Sequence, residues 1–425
     1  MDTQRLILAM IFFFSLFMLF EAWQRESRGP SAPATVEKKA PEAQSPPVSA
    51  TPTPTTKLTP PTAADTPVQR AQQPGGEIVR VETDVFSIDI DTVGATLTRA
   101  ELKQHRGTVD TSRNFVLLER NDGRIYVAQS GLIGEGLPNH NSRFSAAGTE
   151  FQLGQGQNQL QVRFEAQGAG GVKLTKIYTF ERGSYTIAVT HEVHNGAAAP
   201  LEPYAYYQLE RDGNPPEGDS KMMPTFTGVA VYTDKEKFQK VSFEDIEKGK
   251  TPYARTADEG WIGLVQHYFV TAWIPPQNIG REYFTRRLRE NVYSAGVILP
   301  LGRIEPGAQV MQQVTLYAGP QDQERLAAIA PGLDLTVDYG WLTIIAAPLF
   351  WVLKTLYGWV GNWGVAIILL TVLIKLLFYP LSAASYKSMA RMRVLAPKLQ
   401  RLKEQYGDDR QRMQQAMMEL YKTEK

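Results

Sequence analysis

GNWGVAIILLTVLIKLLFYP, residues Gly361–Pro380, is long and apolar enough to be a membrane-spanning helix, yet Lys375 sits inside its apolar run. The cleanest span, Val365–Leu381, covers about 17 residues, or roughly 25 Å at 1.5 Å per residue. A charge at that depth costs several kcal/mol, so the lysine needs a physical reason. On a helical wheel Gly364, Thr371, Lys375 and Ser382 fall within about 20° of one line, while Ile, Leu and Val cover the remaining faces. Two readings stay open. In one, Lys375 snorkels, because it lies only about 9 Å from the Leu381 end and its stem covers much of that distance. In the other, the polar stripe lines a watery cavity in the inner leaflet, where an intramembrane charge is kept for a function.

Directly after this span come Lys387, Arg391, Arg393, Lys398, Arg401 and Lys403. By the positive-inside rule that flank is cytoplasmic. Met392, Leu395, Leu399, Leu402 and Tyr406 step by three and four, the seam of a coiled coil. Gly407 is expected to end that helix and Asp408 or Asp409 to cap the next, which Met413, Met417 and Leu420 continue. Residues 382–425 thus predict a cytoplasmic helical hairpin, with Pro397 interrupting and kinking its first arm. Ten basic and five acidic residues from Lys387 to Lys425 give it a net charge of +5.

Upstream, Trp341–Val360 would just span a bilayer, but it holds Pro348, Lys354 and three tryptophans scattered along its length. Scattered amphipathic anchors suggest a helix lying in the interface. Topology favours that reading: with an inward N-terminus, two spans return the basic flank to the cytoplasm and three would not. The other span is N-terminal. Leu6–Phe20 is apolar apart from Ser15, and EAWQRESR follows where a signal peptide would carry a small-residue cleavage site. Residues 1–28 therefore read as an uncleaved signal-anchor helix. Residues 29–76, rich in Pro, Ala and Thr and without aromatic residues, read as a disordered, extended periplasmic tether.

Residues 77–320 alternate apolar and polar in short runs broken by Gly, Asn and Pro, as in DVFSIDIDTVGATLTRAEL with Gly94 as the break. Such alternation predicts antiparallel strands, and this many strands need a second sheet to bury their apolar faces. The expected class is a membrane protein with a large all-β sandwich outside the membrane, α-helical transmembrane segments and the hairpin. Residues 321–360 should hold a short helix and the interfacial helix, and residues 361–381 the second span.

Catalytic signatures are scarce. The 425-residue chain has a formal net charge of +1 and no cysteine, which excludes disulfides, thiolate metal sites and a cysteine nucleophile. Two of its five histidines form HEVH, His191–His194, on a strand pattern. Residues three apart on a strand point to opposite faces and cannot share a metal without a bulge, so both are expected as solvent-facing strand residues. GAGG at Gly168–Gly171 reads as a hairpin loop rather than a phosphate cradle. No cofactor is called for.

The ordered motifs LDLTVDYGWL, GNWG, YPLS…SYKSMARMR…P and YGDDRQRMQQAMMELYK, placed after a β-rich exterior domain, resemble the YidC/Oxa/Alb family of membrane protein insertases in its Gram-negative form. The resemblance implies a periplasmic β-supersandwich, an interfacial helix, and a hydrophilic groove open to cytoplasm and lipid. In that family a basic residue, usually arginine, sits in the groove and attracts polar or acidic parts of incoming proteins; Lys375 takes that position, keeping the charge but losing the planar fork. Thr371 matches another groove position, with Gly364 and Ser382 on the same stripe. Tyr386 and Asp408, with Arg391 and Arg393, match the loop that approaches the ribosome and the signal recognition particle receptor. The implied partners are nascent inner-membrane proteins, the Sec translocon, the ribosome and membrane lipids. Because that family continues through further spans, the sequence ending at Lys425 is expected to be a C-terminally truncated product. The competing classes are a membrane-anchored periplasmic enzyme or sugar-binding protein, and a channel or transporter subunit.

Overall fold

Extended strands, some alternating buried and exposed residues and others buried on both faces, build the largest part of the structure, a computed structural model that describes residues 66–67, 75–219, 225–339, 342–405 and 410–423. The expected N-terminal anchor, most of the tether, and Tyr406–Asp409 lie outside the described residues. In TIAVTHEVHN, Thr186–Asn195, every second side chain is buried, and QLQVRFEAQ, Gln159–Gln167, repeats the pattern along most of its length. Apolar burial on one face, worth about 1.5–3 kcal/mol per fully buried Val, Leu or Phe, selects the extended backbone and fixes its register.

Two large sheets result. The first has ten strands in the order β14 (Thr256–Ala257), β17 (Arg281–Arg289), β18 (Val292–Pro300), β11 (Tyr204–Asp212), β5 (Ile125–Ile133), β4 (Asn114–Arg120), β3 (Thr96–Arg106), β2 (Phe86–Asp91), β1 (Ile78–Glu82) and β7 (Glu150–Gln152). The second has nine: β13 (Lys237–Val241), β12 (Gly228–Thr233), β15 (Trp261–Gln266), β16 (Phe269–Ile274), β19 (Gln309–Pro320), β10 (Thr186–Asn195), β9 (Val172–Glu181), β8 (Gln159–Gln167) and β6 (Ser145–Ala146). Neighbours pair antiparallel except β1 with β7. Val81, Ile88, Tyr207 and Val297 of the first sheet and Phe164, Val189, Leu264 and Leu316 of the second belong to one buried core, so the sheets form a sandwich. Gly94, between β2 and β3, adopts φ +76°, and a Cβ there would lie 2.3 Å from His140 O, which explains the break. The GAGG stretch is the turn between β8 and β9.

The core also carries a polar seam. Lys176 on β9 is fully buried and its Nζ donates to Gly94 O and Ser130 O, each at 2.6 Å. His191 is buried as well, its Nε2 2.9 Å from Ser130 Oγ and its ring stacked on Tyr207 at 4.7 Å. This corrects the solvent-facing expectation for His191; His194, on the other face, is partly exposed. The parity was legible: His191 shares its face with Val189 and Val193, so it belongs to the core face.

A helical tail follows. α1 (Phe243–Glu247) is a short excursion capped by Ser242, and α2 (Gln323–Ile329) is capped by Asp322 just after β19. A 3-10 turn, Leu333–Thr336, leads to α3 (Thr343–Val360), α4 (Trp363–Gln405) and α5 (Arg410–Thr423). α4 is one helix of 43 residues, about 65 Å long, that carries the second span directly into the first hairpin arm. Pro380 and Pro397 lie inside it without ending it, so the expected interruption at Pro397 does not occur.

Burial pushes the Lys176 pKa down from 10.5 to about 7. The unfolded chain therefore holds more protons than the folded one between these values, and the penalty for burying the ammonium fades as pH rises through that window. Denaturant midpoints should rise from pH 7 toward pH 10, and Lys176→Met should flatten that rise. An unchanged slope in the variant would show that Lys176 does not set it.

Candidate functional site

The site is built on the hairpin of α3 and α4, whose turn is written in GNWG. Gly361 adopts φ +65° and its N–H donates to Tyr357 O at 2.7 Å, which closes α3. Asn362 starts α4: its Oδ1 accepts from Val365 N at 3.2 Å and its backbone O from Ala366 N at 3.0 Å. Tyr357 then stacks on Trp363 with ring centroids 4.0 Å apart and planes 9° from parallel. Sequence reasoning missed these capping roles, although Gly-Asn between two apolar helices is a readable stop-and-start signal.

Ala366 is fully buried and Leu356 nearly so where the two helices meet. On the α4 wheel Ala366 lies about 200° from Gly364, so α3 covers the side opposite the polar stripe. Gly364, Thr371, Lys375 and Ser382 are all exposed along one line of α4. The structure thus places the four expected groove residues on one open face, but among the described residues no second helix faces them. The Thr371 hydroxyl donates to Ile367 O at 2.8 Å, which satisfies it within its own helix and leaves its lone pairs outward. Lys375 makes no ion pair with a described residue. The flanking faces are apolar and open: Ile368, Leu376, Leu377 and Leu381 are each more than 60% exposed. An exposed apolar surface of this extent marks a membrane or protein contact.

By length and composition, two described helical stretches suffice to cross a membrane, Thr343–Val360 and Trp363–Lys387. α3 also shows where it runs. Lys354 Nζ lies 2.5 Å from Glu324 Oε1 in the first turn of α2, and Phe350 lies 6.2 Å from Tyr339, whose hydroxyl donates to Gln323 Oε1 at 3.1 Å. A helix pointing straight away from the sandwich would carry Lys354 about 17 Å beyond Thr343. Instead α3 lies back along α2. The ion pair is solvent-exposed, so it reports position more than it holds the helix. Elsewhere on α3, Ile344, Trp351 and Trp359 are 87%, 69% and 78% exposed.

Beyond the stripe, Tyr386 and Arg393 project from α4 and are exposed. Arg391 lies in α4 with its side chain outside the described set, and Asp408 lies outside it altogether. Met413, Ala416 and Met417 of α5 are half-buried, a face consistent with packing in a hairpin. No group of histidine and carboxylate residues suited to a metal occurs among the described residues.

The geometry at α2 is testable because the chain has no cysteine. Glu324→Cys with Lys354→Cys should be joined within one chain by a short bismaleimide, whereas Glu324→Cys with Tyr379→Cys should not. Equal yields from both pairs would rule out the placement of α3 along α2.

Comparison with known proteins gives these features a context. Residues 78–352 match the family model described as the YidC periplasmic domain, and residues 355–425 the one described as the 60Kd inner membrane protein. A protein of Nitrosospira multiformis named membrane protein insertase YidC is 49% identical, the match covering 100% of this chain and 77% of the relative. Its namesake in Methylobacillus flagellatus is 51% identical, covering 100% and 76%. Among solved structures, a galactose mutarotase related enzyme from Lactobacillus acidophilus is similar at TM-score 0.36 and 10% identity, over 57% of this chain and 97% of that one. Matched by a family model over most of its length and by half-identical relatives over all of it, the chain belongs to the YidC family.

Proposed function

We propose that the chain is a membrane protein insertase and chaperone that works without covalent chemistry, assisting inner-membrane proteins to insert and fold. The observation that carries this reading is the polar stripe of Gly364, Thr371, Lys375 and Ser382 on a helix whose other open faces are apolar. A positive charge on such a stripe keeps water in the leaflet around it. It attracts an acidic or polar segment of an incoming chain, and the wet path lowers the desolvation cost of moving that segment through hydrocarbon. The names of the half-identical relatives support the same function.

The orientation follows from charge. The basic arm after the span sits in the cytoplasm, which places the sandwich in the periplasm and leaves α3 in the interface between, its tryptophans toward the head groups. The period and contacts of α3 support this, since Lys354 meets α2 beside the sandwich. The hairpin meets the ribosome and the signal recognition particle receptor through Tyr386, Asp408, Arg391 and Arg393, and the Sec translocon and membrane lipids complete the partners.

If the charge is what Lys375 supplies, Lys375→Arg should preserve insertion in a reconstituted assay. Lys375→Leu should impair substrates with acidic translocated tails more than neutral ones. Normal insertion of every substrate by the leucine variant would reduce Lys375 to a snorkelling anchor. For the hairpin, ribosome co-sedimentation should weaken steeply as salt rises, because each phosphate contact releases counterions. Binding indifferent to salt would exclude the basic arm as the contact.

A further inference from the structure

The outer face of the ten-stranded sheet, away from the core, carries a row of polar side chains that are nevertheless buried. On β11 Tyr206, Gln208 and Glu210 alternate with core residues and so face outward, as do Gln129 on β5, Ser294 on β18 and Arg286 on β17. Gln129, Gln208, Ser294 and Glu210 are each only 1% exposed. Gln129, Gln208 and Ser294 form a connected set with Arg286. Gln208 Nε2 donates to Gln129 Oε1 at 2.7 Å, and Ser294 Oγ and Arg286 Nη2 approach Gln208 Oε1 at 3.2 and 3.5 Å.

The set holds a distant piece of chain. Arg286 Nη1 donates to Thr66 O at 3.0 Å and Nη2 to Pro67 O at 3.2 Å, across 220 and 219 residues of sequence. Thr66, within the stretch expected to be a disordered tether, is 2% exposed. The guanidinium lies 5.6 Å from the Phe284 ring, within a small apolar cluster of Tyr206, Phe284 and Ile298. A cavity of about 550 Å³, lined by Tyr204, Glu282, Ile298 and Pro300 among others, continues this face along β17 and β18.

We propose that this row is a binding site for an extended, proline-containing polypeptide main chain, and that the chain's own Thr66–Pro67 segment is its resident occupant. Both contacts go to backbone carbonyls of successive residues, so the fork reads main chain rather than side chain. Proline suits such a site because its φ is fixed, it presents no N–H that would need a partner, and it biases the residue before it toward the extended conformation. Little ordering entropy is then lost on docking. On the protein side, Gln208 is itself fixed by Gln129 and Ser294, so the donors are aimed before the peptide arrives. The tether is therefore strapped to the sandwich partway along its length.

The test uses the full chain, which lacks cysteine, with Thr66→Cys as the one thiol. Maleimide should label it at least about tenfold more slowly in the native protein than in denaturant, the protection expected of a segment that must open to react. Arg286→Ala should raise the native rate about tenfold, the equivalent of one lost charge-assisted hydrogen bond, and Arg286→Lys should fall between. Val189→Cys in the core reports whether the alanine variant remains folded. Should it not, the decision passes to competition in the unaltered background, where a synthetic Asp65–Gln69 peptide in excess must speed labelling at position 66. Native labelling as fast as in denaturant, protection untouched by Arg286→Ala in a folded chain, or a peptide without effect would each overturn the proposal.

Discussion

Hydrocarbon supplies no hydrogen bonds and barely solvates charge, and the helical half of this chain is arranged around that fact. α3 and α4 close their own ends, through Gly361 on one side and Asn362 on the other, so the turn between them leaves few bare backbone groups. Thr355 and Thr371 return their hydroxyls to Trp351 O and Ile367 O, one turn back. A polar side chain that satisfies itself this way can face lipid at small cost. Lys375 has no such recourse. Its ammonium needs water or an anion, and the small and polar residues in line with it leave a surface along which water can reach it.

The sandwich meets the same requirement differently. Between its sheets, Lys176 finds two carbonyls, His191 finds Ser130, and Tyr178 donates to Ala95 O at 2.5 Å. A neutral amine can still donate twice, so lowering the Lys176 pKa removes the charge without breaking either bond. On the outer sheet face the row from Gln129 to Arg286 is satisfied partly by the chain's own distant carbonyls. For Lys176, Tyr178 and Gln208 a buried polar group is tolerated because its partner is fixed beforehand.

Continuity couples these halves mechanically. β19 runs into α2, α3 lies back along α2, and a two-residue turn sets α4, which extends as one helix into its basic arm. A load applied to the arm reaches the Lys375 stripe without crossing a loop, because Lys387 and Arg393 share that helix. The polar line and the basic arm are thus carried on one continuous helix.

Much of this was legible beforehand because it is local. Period-two alternation announced the strands, the apolar run announced the span, and 100° spacing put Gly364, Thr371, Lys375 and Ser382 in line without any knowledge of neighbours. Parity also set His191 and His194 on opposite faces, and the company of Val189 and Val193 could have shown which face was buried. Pro397 misled because a proline removes one hydrogen bond, a cost that a long helix can absorb. What the sequence could not specify were the meetings of residues far apart in it: Lys354 with Glu324, Lys176 with the Gly94 carbonyl, Arg286 with Thr66. Propensity and periodicity act within a few residues. Which distant carbonyl fills a guanidinium fork is decided only when two sheets and a tail have packed, since only then does desolvation make an unpaired group costly enough to select its partner.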